Sequence, residues 1–361
     1  MENNNTNLQM AKVAKNDEFY TTFESVEKEL AHYHRHFENK TILCNCDNPY
    51  KSNFCRYFLM YFNKLHLKRL ICTSYNRSKT VGEQLSFFEN GEEKAPDFGG
   101  YILDTMRFCD GDEVISADAV EDFLRSGKCI RKLDGDGDFR SDECIEYLKQ
   151  CDIVVTNPPF SLFKELIAEI IKYKKEFLLI CSQCAVAYSD VLQLIMKRQA
   201  RAGYHFGAMK FSVPNSFEPY QTRLPRYRVD RDGQKWMGLG NIMWLTNLSI
   251  EEKPRMNLTH KYCESEYPKY DGYDAIEVKT INDIPCDYSG LMGIPITIIG
   301  HLNREQFDLV GIASHGSDNE YDMFEPWLHG KRKFKRMLIR NREIAGSPIG
   351  CPTPPNSTQA E

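Results

Sequence analysis

The chain of 361 residues has no apolar run that approaches the roughly 18 residues of a membrane span. Its longest candidates, residues 177–188 and 291–300, fall well short. The first sixteen residues are polar and carry no apolar core, which excludes a secretory signal from them. No excess of positive charge is present either: the formal net charge is −5, so the whole-chain basicity usual in nucleic-acid binders is missing. The thirteen cysteines are odd in number and scattered, a pattern that fits reduced thiols and a cytoplasmic location better than a disulfide framework. What remains is globular composition: 42% hydrophobic and 27% charged residues, with length for about two domains.

The charge is unevenly spread. Residues 1–200 hold 26 Lys and Arg against 31 Asp and Glu, whereas residues 201–361 hold 20 of each. The second half is thus relatively basic, and its cations cluster. Arg223, Arg226, Arg228, Arg231 and Lys235 form one group, interleaved with Tyr227 and Trp236 and diluted by Asp230 and Asp232. Lys331, Arg332 and Lys333 open a second, KRKFKRMLIRNR, with seven cations and no acid. A lone run of this kind is usually a solvated face, although such clusters also suit phosphate contact.

Hydrophobic periodicity predicts strands at 41–46, 69–75, 152–156 and 177–182, alternating with helices at 22–37, 54–65, 141–150 and 161–173, with Ser141 and Ser161 as N-caps. Shorter elements are expected at 101–104 and 117–125, a helix at 190–198, and a loop excursion at 76–98. The alternation predicts an α/β fold with a mostly parallel, doubly wound, Rossmann-like sheet. Helical periodicity fades after about residue 203, and a strand-rich region is expected from there, with the domain boundary near 210. Residues 1–16 and 346–361 read as disordered tails.

The sharpest chemical feature is Asn157-Pro158-Pro159-Phe160 directly after a buried strand. Ligands in open α/β sheets sit at the carboxyl ends of strands. Prolines stiffen the loop and make no N–H bonds, so its carbonyls are available to a ligand. Asn157 offers an acceptor and a donor, and Phe160 a flat face. The parts suit an aromatic amine such as the exocyclic nitrogen of adenine, whose two N–H groups would be held by the Asn157 oxygen and the Pro158 carbonyl. The bland alternative is a rigid turn closing a strand.

Metal sites fare poorly. Cys181 and Cys184 have CxxC spacing but no second pair, and zinc needs about four ligands. Residues 133–143 resemble half a calcium loop, but the twelfth position from Asp134 is Ile145. His32, His34 and His36 do not share a helix face.

The chain resembles the EcoRI-type adenine-specific DNA methyltransferase family. The likeness runs from about Lys15 to Arg342 and rests on residues 14–30 (AKNDEFYTTFESVEKEL), 42–54 (ILCNCDNPYKSNF), 137–163 (GDFRSDECIEYLKQCDIVVTNPPFSLF), 233–248, 268–278 and 290–299. The resemblance implies an S-adenosylmethionine-dependent enzyme that methylates N6 of a flipped adenine in double-stranded DNA. It also implies a restriction–modification or host DNA modification setting, leaves open whether a cognate restriction endonuclease belongs to the same system, and requires no stable protein partner. Residues 17–210 would bind the cofactor and catalyse, and residues 211–345 would recognise DNA. At matching positions, Phe19, Tyr20 and Thr21 would lie near the methionine end of the cofactor. Asn45 and Asp47 would lie in its loop, Asp138 and Phe139 at its adenine, and Asn157 to Phe160 would form the catalytic loop. One departure from the wider superfamily stands out: the loop Cys44-Asn45-Cys46-Asp47-Asn48-Pro49 contains no glycine. Two other readings remain: methylation of RNA or of a protein glutamine, and a DNA-binding protein that has kept the fold without turnover.

Overall fold

The computed structural model describes residues 19–75, 88–89, 92–93, 99–108, 113–215, 217, 226–315 and 320–346. Both expected tails fall almost wholly outside these residues, as does most of the 76–98 excursion apart from a short hairpin, Phe88–Glu89 with Glu92–Glu93. The chain divides into two compact units, Met1–Ser182 with Ala200–Leu248, and Gln183–Gln199 with Ser249–Glu361.

In the first unit the strands are β1 (Tyr20–Thr21), β2 (Thr41–Asn45), β3 (Arg69–Ser74), β4 (Tyr101–Thr105), β5 (Ile130–Lys132), β6 (Ile153–Thr156), β7 (Glu176–Ser182), β8 (Arg201–Val213), β9 (Tyr227–Val229) and β10 (Lys235–Thr246). They form one sheet in the order β1-β8-β10-β7-β6-β2-β3-β4-β5, with β9 on β10. The helices α1 (Phe23–Leu30), α2 (Asn53–Met60), α3 (Ala117–Ser126), α4 (Asp142–Gln150) and α5 (Phe163–Lys172) belong to the same unit.

Strands β2 and β6 are buried along their whole length, which is why TILCN and IVVT read as continuous apolar runs. Hydroxyl side chains start four of the helices. Thr22, Ser52, Ser116 and Ser141 each accept a bond from a first-turn amide. Ser161 does not: it lies inside a 3-10 turn, Phe160–Leu162, and α5 follows without a side-chain cap.

The parallel character is narrower than the alternation predicts. Only β3, β2, β6 and β7 are mutually parallel. Strands β4 and β5 add antiparallel on one side, and β10, β8 and β1 on the other. The boundary near residue 210 is also displaced. Residue 210 lies within β8, and β8 and β10 continue the first sheet up to Thr246. The change in composition there marks a change from helix-linked parallel strands to long antiparallel ones, not the end of the unit.

In the second unit, β11 (Ala275–Glu277), β12 (Leu291–Pro295), β13 (Phe307–Ala313), β14 (Asp322–Phe324) and β15 (Arg336–Asn341) form a sheet ordered β11-β12-β15-β13-β14. Arg336 reaches the buried Glu277 at 2.7 Å, and the Tyr270 hydroxyl donates to the same carboxylate. Among the described cysteines, all but the disulfide-bonded Cys286 are free thiols.

Candidate active site

The strand order reverses beside β2: β3 lies on one flank and β6 on the other. Such a switch point opens a crevice at the carboxyl ends of the strands. The loops that leave β2 and β6 are residues 46–52 and 157–160, and the second holds the sharpest chemical feature of the sequence.

The first loop turns without glycine. Cys46 takes φ 125°, a conformation costly for a side-chain-bearing residue. The amides of Cys46 and Asp47 donate to the Thr73 carbonyl at 3.2 and 3.0 Å, which folds the loop over the end of β3. Asn48 then accepts from the Tyr50 amide, and Ser52 caps α2.

Asp47 is buried and fully engaged. Its Oδ1 accepts from Ser52 Oγ at 2.8 Å and its Oδ2 from Thr156 Oγ1 at 2.5 Å, with the backbone amide of Asn157 as a third donor. Burial pushes the carboxyl up to about 6, and the three hydrogen bonds pull the other way. Thus Asp47, expected as a cofactor ligand, binds the two loops together.

Asn157 is oriented from the other side. Its Nδ2 donates to the Phe19 carbonyl at 2.5 Å, and its Oδ1 is buried with no partner. The Phe19–Thr21 segment is itself clamped: Asn53 Nδ2 donates to the Thr21 carbonyl, and Tyr20 and Thr21 pair with Ser212 and Phe211 of β8. The N-terminal segment is thus tied to the loop after β6 and to the start of α2.

Phe160 is buried in an aromatic group. Its ring stacks on Phe19, with centroids 5.8 Å apart and planes 24° apart, and meets Phe211 edge-on at 6.4 Å. Phe19 touches Phe217 at 6.2 Å, and Phe217 stacks on Tyr227. One ring face of Phe160 is thus already occupied by Phe19.

The loop bearing Asp138 and Phe139 packs on the end of β3. A Cβ on Gly137, at φ 81°, would lie 2.0 Å from the Ser74 carbonyl, and one on Gly100 would lie 2.7 Å from Gly137. Both positions need glycine for this approach. Phe139 is buried, and the Asp138 carboxylate binds Arg140 through two N–H groups and the Arg140 amide.

Further buried oxygens around these loops lack partners: Asn45 Oδ1, Thr73 Oγ1 and Thr21 Oγ1. Asn45 and Thr73 are register partners on β2 and β3. A folded protein rarely leaves several such groups unmet in one place, so the crevice has the polarity of a ligand site. Thr73 and Ser52 carried no sequence signal of their own; only the register and the loop path bring them in.

The cationic candidates separate. Arg226, Arg228 and Arg231 are exposed, and Arg226 lies over Gly240, where a Cβ would sit 2.0 Å from its Nη1. Lys235 is drawn inward, donating to the Asn215 and Phe217 carbonyls, and so holds a loop. Lys210 joins the group, its ammonium 3.8 Å from the Trp236 ring centre. Arg223 lies outside the described residues. In the second unit Lys331 and Arg332 are exposed on a hairpin with Trp327 and Leu328, and Lys333 is half-buried.

The family model described as "Adenine-specific methyltransferase EcoRI" matches residues 7–344. The chain belongs to that family. This methyltransferase is 39% identical over 351 residues to the Type II methyltransferase M.EcoRI of Escherichia coli, covering 95% of this chain and 99% of the relative. It is 34% identical to M.MgeORF184P of Mycoplasma genitalium (92% and 98% covered) and 32% identical to M.MpnI of Mycoplasma pneumoniae (92% and 97%). No solved structure matches it significantly. Among the described residues no helix is long and apolar enough to cross a membrane.

Proposed function

We propose that this adenine-specific methyltransferase acts on double-stranded DNA. In this reading it moves a methyl group from S-adenosylmethionine to N6 of an adenine turned out of the duplex, as the modifying arm of a cytoplasmic restriction–modification system. The observation that carries the reading is the state of Asn157: its amide nitrogen is tied to the Phe19 carbonyl, and its buried oxygen is left without a donor.

An adenine amine is a weak nucleophile because its lone pair is conjugated with the ring. Asn157 Oδ1 and the Pro158 carbonyl offer acceptors for the two N–H bonds and would favour a pyramidal nitrogen. Asn157 is neutral, so it orients the amine, and the proton leaves to water. Turning the base out costs a few kcal/mol, which Phe160 offsets by stacking. The base then takes the ring face that Phe19 holds in the free protein, or the opposite one.

The unpartnered Asn45, Thr73 and Thr21 oxygens fit a polar cofactor with amine and hydroxyl donors. Asn45, Thr73 and the backbone of residues 45–47 would hold it, with Phe139 against its adenine. Once bound, S-adenosylmethionine supplies a methyl group activated on a sulfonium. Arg226, Arg228, Arg231 and Lys210 suit the phosphate backbone, and Lys331 and Arg332 offer a second cationic patch.

The test is transfer of labelled methyl from S-adenosylmethionine to unmodified DNA, RNA and protein in parallel, each digested afterwards by its own nuclease or protease. Label released only by DNase is expected. Label released by RNase or protease would support the other substrates.

A further inference from the structure

We propose that Asp47 is a positioning residue for methyl transfer: its buried carboxylate sets the catalytic loop by holding Thr156 and the Asn157 amide, and it does not hold the cofactor. The inference deepens the reading above and rests on it for the reaction measured.

The geometry is that of a brace. Asp47 comes from the loop after β2, Thr156 is the last residue of β6, and Ser52 is the N-cap of α2. One carboxylate collects a donor from each, and adds the backbone amide of the residue whose side chain meets the amine. With both oxygens so engaged, little acceptor capacity remains for a ligand. The cofactor-facing acceptors are the unpartnered ones, Asn45 and Thr73.

Asp47 must be ionised to serve all these donors; a protonated carboxyl turns one acceptor into a donor. The titratable groups facing it are thiols, Cys44 of β2, Cys46 of the loop, Cys55 of α2 and Cys72 of β3, while β6 adds only the Thr156 hydroxyl. All four are held above their ordinary values. Burial is the main cause for Cys44, Cys46 and Cys72; for Cys55 it is the Cys72 hydrogen bond, then burial. They stay neutral at working pH. Asp138 acts on Cys46, and Arg56 acts on Cys55. The brace therefore loosens as pH falls through about 6.

The experiment is single-turnover methyl transfer with saturating S-adenosylmethionine and DNA across pH 5–8, for wild type, Asp47→Asn and Thr156→Val, alongside calorimetric cofactor binding. Wild-type activity at pH 7.5 is the control that separates failure of the functional reading from failure of this one. The wild-type rate should fall about tenfold per unit below pH 6. Asp47→Asn should be slower by about 10- to 100-fold at pH 7.5. Its rate should be flat through pH 6, and its affinity for S-adenosylmethionine within about threefold of wild type. Thr156→Val keeps the charge and removes one donor, so its acid limb should move above pH 6. An Asp47→Asn profile like wild type, an affinity loss equal to the rate loss, or an unmoved limb in Thr156→Val would overturn the proposal.

Discussion

Single residues at this site are defined by what they leave unmet as much as by what they bind. Asn157 presents an acceptor because Phe19 has taken its donor, and Asn45 and Thr73 present acceptors because their register aligns them at the strand ends. The tetrad was readable from sequence because rigid, carbonyl-rich chemistry was written in four adjacent letters. The role of Asp47 was not, since its partners lie 5 and 109 residues away. Gly137 gives a sharp test at this scale. Gly137→Ala would push a methyl group into the Ser74 carbonyl, so the Asp138–Phe139 loop must shift off β3. Cofactor affinity should fall at least tenfold by calorimetry. Unchanged affinity would remove residues 137–139 from the cofactor site.

Among elements, β8 does more than its composition suggests. It carries β1 at its far end and Phe211 into the aromatic group, and a register shift between Ala202 and Phe206 bulges it near its start. The bulge is filled by Glu29 of α1. This fully buried carboxylate accepts from the amides of Tyr204 and His205 at 2.8 Å, from His205 Nδ1 at 2.7 Å and from the Tyr33 hydroxyl at 2.9 Å. Gly203 leaves room for it, since a Cβ there would sit 2.2 Å from Glu29 Oε1. Glu29→Gln turns an amide N–H donor towards donors and should cost about 1–3 kcal/mol in urea unfolding. A neutral result would mean that water replaces the contact. The parallel strands and capped helices were legible because each is encoded locally, by apolar runs and hydroxyl caps. The antiparallel extension was not. It depends on pairing such as Leu178 with Thr246, which no local pattern announces, and so the unit reaches Leu248 rather than residue 210.

For the whole molecule, the acidic sum hides exposed cations on both units. The −5 total arises within residues 1–200, whereas Arg228 and Arg231 are exposed on or beside β9 and carry no acidic partner in the described ion pairs. If both touch phosphate, the double Arg228→Ala, Arg231→Ala variant should weaken DNA binding. It should also flatten the slope of log K against log salt by about 1.8, at roughly 0.9 per contact. Lys235→Ala is expected to leave the slope nearly intact, because that ammonium is engaged by the Asn215 and Phe217 carbonyls. An unchanged slope in the double variant would place the DNA elsewhere.

The Asn157 loop is proposed to serve methylation of the exocyclic amine of adenine. Nucleoside mass spectrometry of DNA incubated with S-adenosylmethionine and this protein addresses it directly. N6-methyladenine should be the sole new product, and Asn157→Ala, folded and still binding cofactor, should reduce it by at least about a hundredfold, the scale of a lost transition-state contact. Methylcytosine as the product, or an Asn157→Ala variant as active as wild type, would contradict the account.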